Sequence, residues 1–381
     1  MNVAAFIEYL NKTKGLQIDA SYYAKIEKWR QWWQGYVPGV HNIKITREDG
    51  EHKRRRASLR MPKRVCEDWA CLLLNDKTTF QIGDAATAAY LLGSDEQQTG
   101  GLLRQLHFWE NANKLVEKAY WSGTGAFVLS VEGIKGTDGQ LEADPDARIA
   151  LDYDPASCIL PISVERGVVT EAAFVSECLM EGRPCVYLQT HTVRDGRYTV
   201  TNEWFEISQE QNGAPVFTPH KAPAGTVTEL HPEGSPPWFS MAVFAEALDA
   251  AQGVDLAFDN YRQDLYLGGK KIFYDRSLCK VVIDADGQPH YIPPDDMSAQ
   301  QFFSLPGKEA SLDAAPEWHE YNPDLRTEDN HRAVQDMLDL FSFKCGLGCH
   351  RYSFELGKVA TATEYTGSRQ DLVQSANKNQ I

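Results

Sequence analysis

Two long stretches with helical periodicity, separated by a short insert, constrain the fold of this chain more than any other feature. They run from about Met241 to Leu267 and from about Arg326 to Gly346, each long enough for a helix of roughly 30 Å. In both stretches apolar residues recur every three or four positions, which is the spacing of one face of an α-helix. The pattern predicts either a helical shaft with a compact tip or an ordinary helical pair in a globular core. The apolar positions are Phe244, Leu248, Ala251, Val254, Phe258, Tyr261 and Leu265 in the first stretch, and Val334, Leu338, Phe341 and Cys345 in the second.

The face opposite each apolar stripe is polar, so we expect both helices to expose charge on one side and to pack on the other. The polar residues are Glu246, Asp249, Asn260 and Asp264 in the first stretch, and Arg332, Asp336 and Asp339 in the second.

The chain as a whole is acidic, with 53 acidic and 38 basic side chains among 381 residues and a net charge of −15. Neutralising the phosphates of nucleic acid requires lysine and arginine. The balance therefore argues against a conventional DNA-binding protein. It allows a protein past which DNA must slide without adhering.

The sequence predicts neither a secretory leader nor a membrane span, because it starts without a basic segment and no stretch approaches 18 apolar residues. We therefore expect the eight cysteines to be reduced thiols in a cytoplasmic environment. The densest group, Cys345, Cys349 and His350, lacks the second pair of ligands that a zinc site needs. We expect no metal and no other cofactor.

The first 40 residues predict two helices, of which the second is rich in aromatic side chains. Such density is typical of a helix that docks on a core or on a neighbouring subunit, although a glycan-binding or base-stacking surface is the alternative. The aromatic residues are Tyr22, Tyr23, Trp29, Trp32, Trp33 and Tyr36.

Residues 41–60 alternate as a β-hairpin around Glu48-Asp-Gly50-Glu and form the most basic run of the chain. This run could contact nucleic acid, bridge subunits or simply be solvated. Its cations are Arg47, Lys53, Arg54, Arg55, Arg56 and Arg60.

The rest of the chain predicts an α+β fold. Helices are expected over 61–75, with Val65 and Trp69 in the buried stripe, and over 99–121. Short β-branched and aromatic runs from about 126 to 230 predict strands. In the insert, Lys271–Tyr274 and Lys280–Ile283 predict strands and Asp295–Phe303 a short helix.

Several separate motifs resemble the portal proteins of long-tailed bacteriophages and prophages. They are Trp32-Trp33-Gln-Gly-Tyr36, the stretch from Arg56 to Asn75, the stretch from Asp249 to Lys271, and the stretch from Cys345 to Glu364. Each motif alone is weakly specific, but their order and separations match the family over nearly the whole chain.

The resemblance implies a closed, usually dodecameric ring at one vertex of the capsid, through which double-stranded DNA is packaged and later ejected. The implied regions are a mixed α/β wing at 1–235, a first stem helix at 236–268, a small α/β clip at 269–322, a second stem helix at 323–348, a tunnel loop at 349–360 and the start of the long wing helix at 361–381. Members of the family usually continue with the rest of this helix and a helical crown, and the crown is absent from these 381 residues.

The resemblance also implies partners, a location and residue roles. The partners are the large terminase subunit, head-completion or adaptor proteins, and the major capsid and scaffolding proteins. The protein would lie in the virion at the portal vertex, and in the bacterial cytoplasm during assembly, and it would not be an enzyme. Implied channel-facing residues are Arg332, Asp336, Asp339, His350, Arg351 and Lys358; Lys270 and Lys271 would lie at the junction of stem and clip; Trp29, Trp32, Trp33, Phe244, Phe258 and Tyr261 would pack subunits together.

Two other classes of function remain as alternatives. Asp144-Pro-Asp146 and Asp152-Tyr-Asp154 are carboxylate pairs that could hold magnesium in a nuclease, although no lysine or glutamate follows in nuclease spacing. The chain could also be a different head or tail structural protein of a phage. Neither a phosphate-binding loop nor a nucleophile elbow is present, so any ATPase must be a partner.

Overall fold

The computed structural model is an α+β protein, as the sequence predicts. It describes residues 3–47, 50–75, 77–94, 100–132, 135–137, 140–142, 147–166, 168–180, 182–194, 197–209, 215–220, 241–275, 280–284, 287–292, 302–305, 318–353 and 370–380.

The helices of the described residues include one long antiparallel pair. They are α1 (Val3–Lys14), α2 (Ala20–Gln34), α3 (Pro38–His41), α4 (Met61–Leu73), α5 (Ala85–Leu92), α6 (Leu102–Gln105), α7 (Phe108–Ser122), α8 (Leu248–Leu267), α9 (Thr327–Lys344) and α10 (Gln370–Gln380), with 3₁₀ turns at Ala156–Cys158 and Ala245–Ala247.

The strands form one five-stranded sheet and several smaller pairings. They are β1 (Asn42–Arg47), β2 (Gly50–Arg55), β3 (Gly125–Glu132), β4 (Lys135–Thr137), β5 (Gln140–Glu142), β6 (Arg148–Pro155), β7 (Ile159–Glu165), β8 (Val168–Met180), β9 (Arg183–Arg194), β10 (Arg197–Gln209), β11 (Pro215–His220), β12 (Lys271–Asp275), β13 (Lys280–Ile283), β14 (Pro289–Ile292), β15 (Phe302–Leu305) and β16 (Trp318–Tyr321).

The five-stranded sheet is an antiparallel meander, in the order β11-β10-β9-β8-β7. Helix α1 packs on it through Phe6, whose ring meets Phe205 of β10 and Phe217 of β11 edge-on, with centroids 5.2 and 4.9 Å away. A single apolar core continues from this contact through α2 and α4 to α8 and α9. The long helices are therefore held by the same core as the sheet.

The aromatic N-terminal helix and the helix over 61–75 are confirmed. The side chain of Asp19 caps the start of α2 by accepting from the Ser21 amide, and Gly35 ends that helix in the left-handed region (φ 73°). In α4, Val65 and Trp69 are buried as predicted.

The helix predicted over 99–121 is interrupted. It is divided into α6 and α7 because His107 adopts a left-handed conformation (φ 51°) that an α-helix does not accommodate. Because no glycine or proline stands at this point, the sequence does not signal the break.

Helices α8 and α9 pack antiparallel and are tied together at both ends. Lys344 lies 2.6 Å from Asp249 at one end, and Arg326 lies 2.8 Å from Asp264 at the other. Between these pairs Gly253 faces Met337, and a Cβ at that glycine would lie 2.9 Å from the Met337 sulfur, so the helices approach closely there.

The apolar stripe of α9 is confirmed, but that of α8 is only partly right. Val334, Leu338, Phe341 and Cys345 are all buried. The first long helix begins seven residues later than the prediction, after a 3₁₀ turn, and its distal half is less buried than predicted because Phe258 and Tyr261 are half-exposed and Leu265 is exposed.

The insert between the two helices is built from short strands. Strand β12 lies between β15, which is parallel to it, and β16, which is antiparallel, while β13 and β14 form a separate hairpin. The predicted strands Lys271–Tyr274 and Lys280–Ile283 are thus confirmed. Most of the predicted helix 295–303 lies outside the described residues, and its last two residues, Phe302 and Phe303, belong to β15 instead.

Among the described residues, no helix combines the length and apolar character required to cross a bilayer.

Candidate functional site

The exposed face of α9 carries two of the sequence-predicted channel residues. Arg332 and Asp336 are both exposed and lie one helical turn apart. They form no ion pair with each other or with any other residue that the structure describes. Both charges are therefore available to solvent or to a partner.

Asp339, one turn further along the same face, has a different role from the one expected. Its carboxylate lies 2.7 Å from Nδ1 of His350 and accepts hydrogen bonds from the His350 amide at 3.2 Å and from the Gln335 side chain at 3.0 Å. Only 17% of the side chain is exposed. Asp339 therefore anchors the segment that follows the helix and is a poor candidate for an open charge on a channel wall.

Two glycines and a histidine turn the chain after α9. Gly346, Gly348 and His350 all have positive φ values, of 76°, 75° and 62°. For a residue with a Cβ such as His350 this conformation costs of order 1–3 kcal/mol. The two contacts from Asp339 to His350 offset part of that cost, which explains why a histidine is held there.

Arg351, also predicted to face DNA, is directed into the protein. Its Nε lies 3.7 Å from the buried carboxylate of Asp68 on α4, whose other oxygen lies 3.2 Å from Arg64. The neighbouring Tyr352 hydroxyl is buried, and burial together with the Asp68 carboxylate raises the pKa of Tyr352. Arg351 is thus paired with Asp68 in this conformation, and its expected contact with DNA stays a prediction.

The remaining loop residue of the predicted set, Lys358, lies outside the described residues, as does most of the predicted tunnel loop 349–360. The described part, 349–353, is the clasp that Asp339 and Asp68 form with His350 and Arg351.

Lys270 and Lys271 lie just after the end of α8, at the start of the insert, and their role at a stem–clip junction stays a prediction. Lys270 forms a 2.8 Å ion pair with Glu320, and the Lys271 ammonium lies 5.8 Å from the ring centre of Tyr321. Both partners belong to β16, the strand that leads back toward α9, so the two lysines join the first and last strands of the insert.

The predicted subunit-packing residues fall into two groups. Trp29, Trp32 and Phe244 are buried in the core of the chain itself, so they are not available to a neighbouring subunit in this conformation. Trp33, Phe258 and Tyr261 keep partly exposed surfaces, and Trp33 donates a 3.0 Å hydrogen bond to Glu117.

A buried polar network on α8 was missed by sequence reasoning. Asp255 and Asp259, four residues apart on one helix face, are each 2% exposed. Asp255 lies 3.1 Å from Nε2 of the fully buried His41 and accepts the Leu59 amide at 2.8 Å. The network fixes the β1–β2 hairpin and the segment after it to the long helix.

Asp259 completes the attachment through a two-pronged ion pair. The two terminal guanidinium nitrogens of Arg54, on β2, donate to it at 2.8 and 2.7 Å, and the Ala57 amide donates to it at 3.1 Å. Such bidentate, charge-assisted pairs are among the strongest polar contacts in proteins.

The pKa values of the two carboxylates are shifted in opposite directions, although the residues lie one helical turn apart. Burial raises the pKa of Asp255, and the hydrogen bonds from His41 and Leu59 offset only part of this effect. Burial acts on Asp259 as well, but the Arg54 guanidinium and the Ala57 amide outweigh it and lower the pKa of Asp259. The sequence did contain a signal for this network, because Asp255 and Asp259 are spaced i, i+4 among the apolar residues of the first long helix.

The nuclease alternative gains no support from the described residues. Asp144 and Asp146 lie outside them. Asp152 and Asp154 alternate on β6, where burial and the Asp152 charge raise the pKa of Asp154 to about 6. Among the described residues no group of three or more acidic, histidine or cysteine side chains could hold a metal ion.

An apolar surface lies beside Asp336. Leu340 and Phe343 are 54% and 63% exposed and, with Cys349, line a shallow depression of about 460 Å³. Leu256 on α8 is also exposed. Clustered apolar exposure on a helix of this length is typical of a surface that another protein covers.

Comparison with known proteins gives no assignment: neither a protein-family model nor a curated protein matches the chain.

Proposed function

We propose that this chain is a subunit of a phage portal, a ring through which double-stranded DNA enters and leaves a capsid. The observation that carries the proposal is the antiparallel pair α8–α9, which brackets a small strand-rich insert and is locked by an ion pair at each end. This is the stem–clip–stem order that the sequence resemblance implies. In this assignment α8 and α9 are the stem and residues 269–322 are the clip.

The exposed apolar residues of the stem support assembly into a ring. Leu340 and Phe343 on α9 and Leu256 on α8 are exposed apolar residues on a helical pair that also contributes buried residues to the core. In a closed ring with head-to-tail contacts, every subunit uses two different surfaces, one for each neighbour. Neither kind of surface then stays uncovered.

The insert supports a docking role for the clip. Val281, Val282 and Ile283 of β13 are all exposed, because β13 and β14 form a hairpin that leaves both of its faces open. Three consecutive exposed apolar residues on a strand are typical of a protein-binding edge. We assign this edge to the packaging motor and, after packaging, to head-completion proteins.

Ring formation is tested with the purified chain by mass measurement in solution and by electron microscopy. The wild-type protein is expected to form closed rings. The double variant Leu340→Asp/Phe343→Asp is expected to remain folded but monomeric, because it places two carboxylates in the proposed apolar interface.

Leu179→Asp is the matched control, since Leu179 is 76% exposed and belongs to β8 of the five-stranded sheet, not to the helical pair. This variant should assemble like the wild type. A wild-type chain that stays monomeric over a wide concentration range contradicts the proposed function, while rings in the double variant show that the interface uses another face.

A further inference from the structure

The β1–β2 hairpin is a two-faced ribbon, and one of its faces is attached to α8. Its strands pair antiparallel, with Lys44 opposite Lys53 and Asn42 opposite Arg55. Because side chains alternate along a strand, these residues share one face, while Arg54 and its neighbour on the facing strand, Ile43, share the other. The second face is half-buried and reaches α8 through the Arg54–Asp259 pair.

The first face points away from α8 and is basic. Lys44, Lys53 and Arg55 are exposed, and Glu51 is the acidic residue among them, 3.5 Å from Lys44. Lys53 forms no ion pair within the described part of the chain. In a protein with a net charge of −15, this is a local concentration of positive charge on an exposed surface.

The arrangement of the cations disfavours the isolated ribbon. Lys44 and Lys53 are directly opposite each other across the strands. Like charges in this position destabilise a strand pair. An anion bound between them removes that repulsion, so the register itself points to an anionic ligand.

We propose that this face of the ribbon, formed by Lys44, Lys53 and Arg55, binds the phosphate backbone of double-stranded DNA. A two-stranded ribbon has the dimensions to lie along or within the major groove of a duplex. Lys53 and Arg55 are two residues apart on one face of β2, about 6.7 Å, and Lys44 lies across from Lys53, so the three cations form a compact group that can contact neighbouring phosphates. The Arg55 guanidinium lies 4.5 Å from the ring centre of Tyr36, a contact that restricts its motion.

The site differs from the proposed channel in its electrostatics. The exposed face of α9 presents a carboxylate, Asp336, past which DNA would slide, whereas the ribbon presents cations that would hold it. The inference does not require a ring, because the face is complete within one chain.

The test is the binding of a short fluorescent DNA duplex to the purified chain, measured by anisotropy as a function of salt. Three phosphate contacts predict a slope of log K against log salt of about −2.7, and therefore an affinity loss of about 40-fold between 50 and 200 mM salt. Lys53→Gln should reduce the slope by about 1, and the triple variant Lys44→Gln/Lys53→Gln/Arg55→Gln should abolish binding.

Lys25→Gln/Lys28→Gln is the matched control, because both lysines are exposed on α2 and remain outside the ribbon. It should bind like the wild type. Poly-L-glutamate is the competing probe: if it binds with the affinity and salt slope of the duplex, the face recognises acidic polypeptide and the proposal fails. Duplex binding that survives in the triple variant, or no duplex binding at 50 mM salt, overturns it as well. Ring formation is read separately by microscopy, so the two proposals fail independently.

Discussion

Single side chains decide how the hairpin is attached to the long helix, and Asp259 is the most consequential of them. It is almost fully buried, yet it remains charged because Arg54 and the Ala57 amide satisfy it. Removing one partner of such a pair leaves an uncompensated buried charge, which costs more than the pair contributes.

Arg54→Met is therefore expected to lower the free energy of unfolding by about 3 kcal/mol at neutral pH, measured by urea denaturation. Asp259 has a folded pKa below its ordinary 3.8, so the stabilising pair is present above that value and is lost as pH falls through the folded pKa. The difference between variant and wild type should accordingly shrink below about pH 4.

Arg30→Met is the control for this substitution, since the Arg30–Glu27 pair has a similar length, 2.8 Å, but is exposed on both sides. Exposed pairs contribute about 0–1 kcal/mol, so this variant should unfold almost like the wild type. If both variants lose the same free energy of unfolding, burial of Asp259 does not explain the effect of Arg54→Met.

At the scale of elements, the segment after α9 is held as a clasp by groups on two different helices. Asp339 of α9 holds His350, and Asp68 of α4 holds Arg351. The clasp sets the direction in which the chain leaves the helix toward residues 354–360, which the resemblance assigns to the tunnel loop.

Asp339→Asn is expected to loosen this clasp, because the neutral amide forms a weaker contact with His350 and cannot pair with its charged form. Amide hydrogen exchange over residues 346–353 should become faster, while α9 itself stays protected. Asp336→Asn removes the same charge one turn away at a side chain without a described partner and should leave that exchange unchanged. Acceleration in both variants would point to a general charge effect and contradict the clasp.

The elements that the sequence predicted well are those whose signal is local. The stripe of α9, the hairpin over 41–60 and the helix over 61–75 depend on periodicity within one segment. The start of α8, the break at His107 and the direction of Arg351 depend instead on what other segments place beside them. Asp255 and Asp259 illustrate the limit: their spacing is visible in the sequence, but the partners His41 and Arg54 lie about 200 residues earlier.

For the whole molecule, the proposed ring turns each exposed charge of the stem into a circle of charges. Asp336 qualifies for such a circle because it is exposed and has no described partner, whereas Asp339 is engaged with His350. Exposed charges are screened over about 8 Å at physiological salt. A narrow channel with walls of low dielectric preserves more of their field, so repeated carboxylates discourage adhesion of DNA.

Asp336→Lys is expected to leave ring assembly intact and to slow DNA packaging, because the wall then presents cations that bind phosphates. The stall should ease as salt rises. Each phosphate contact that breaks takes counterions back onto the DNA, and higher salt favours this uptake. Packaging would be followed as DNA protected per head over time, at low and at physiological salt. Glu8→Lys makes the same charge change on the exposed side of α1 and should package normally. If Asp336→Lys packages at the wild-type rate in low salt while its rings are intact, this face of α9 does not line the path of the DNA.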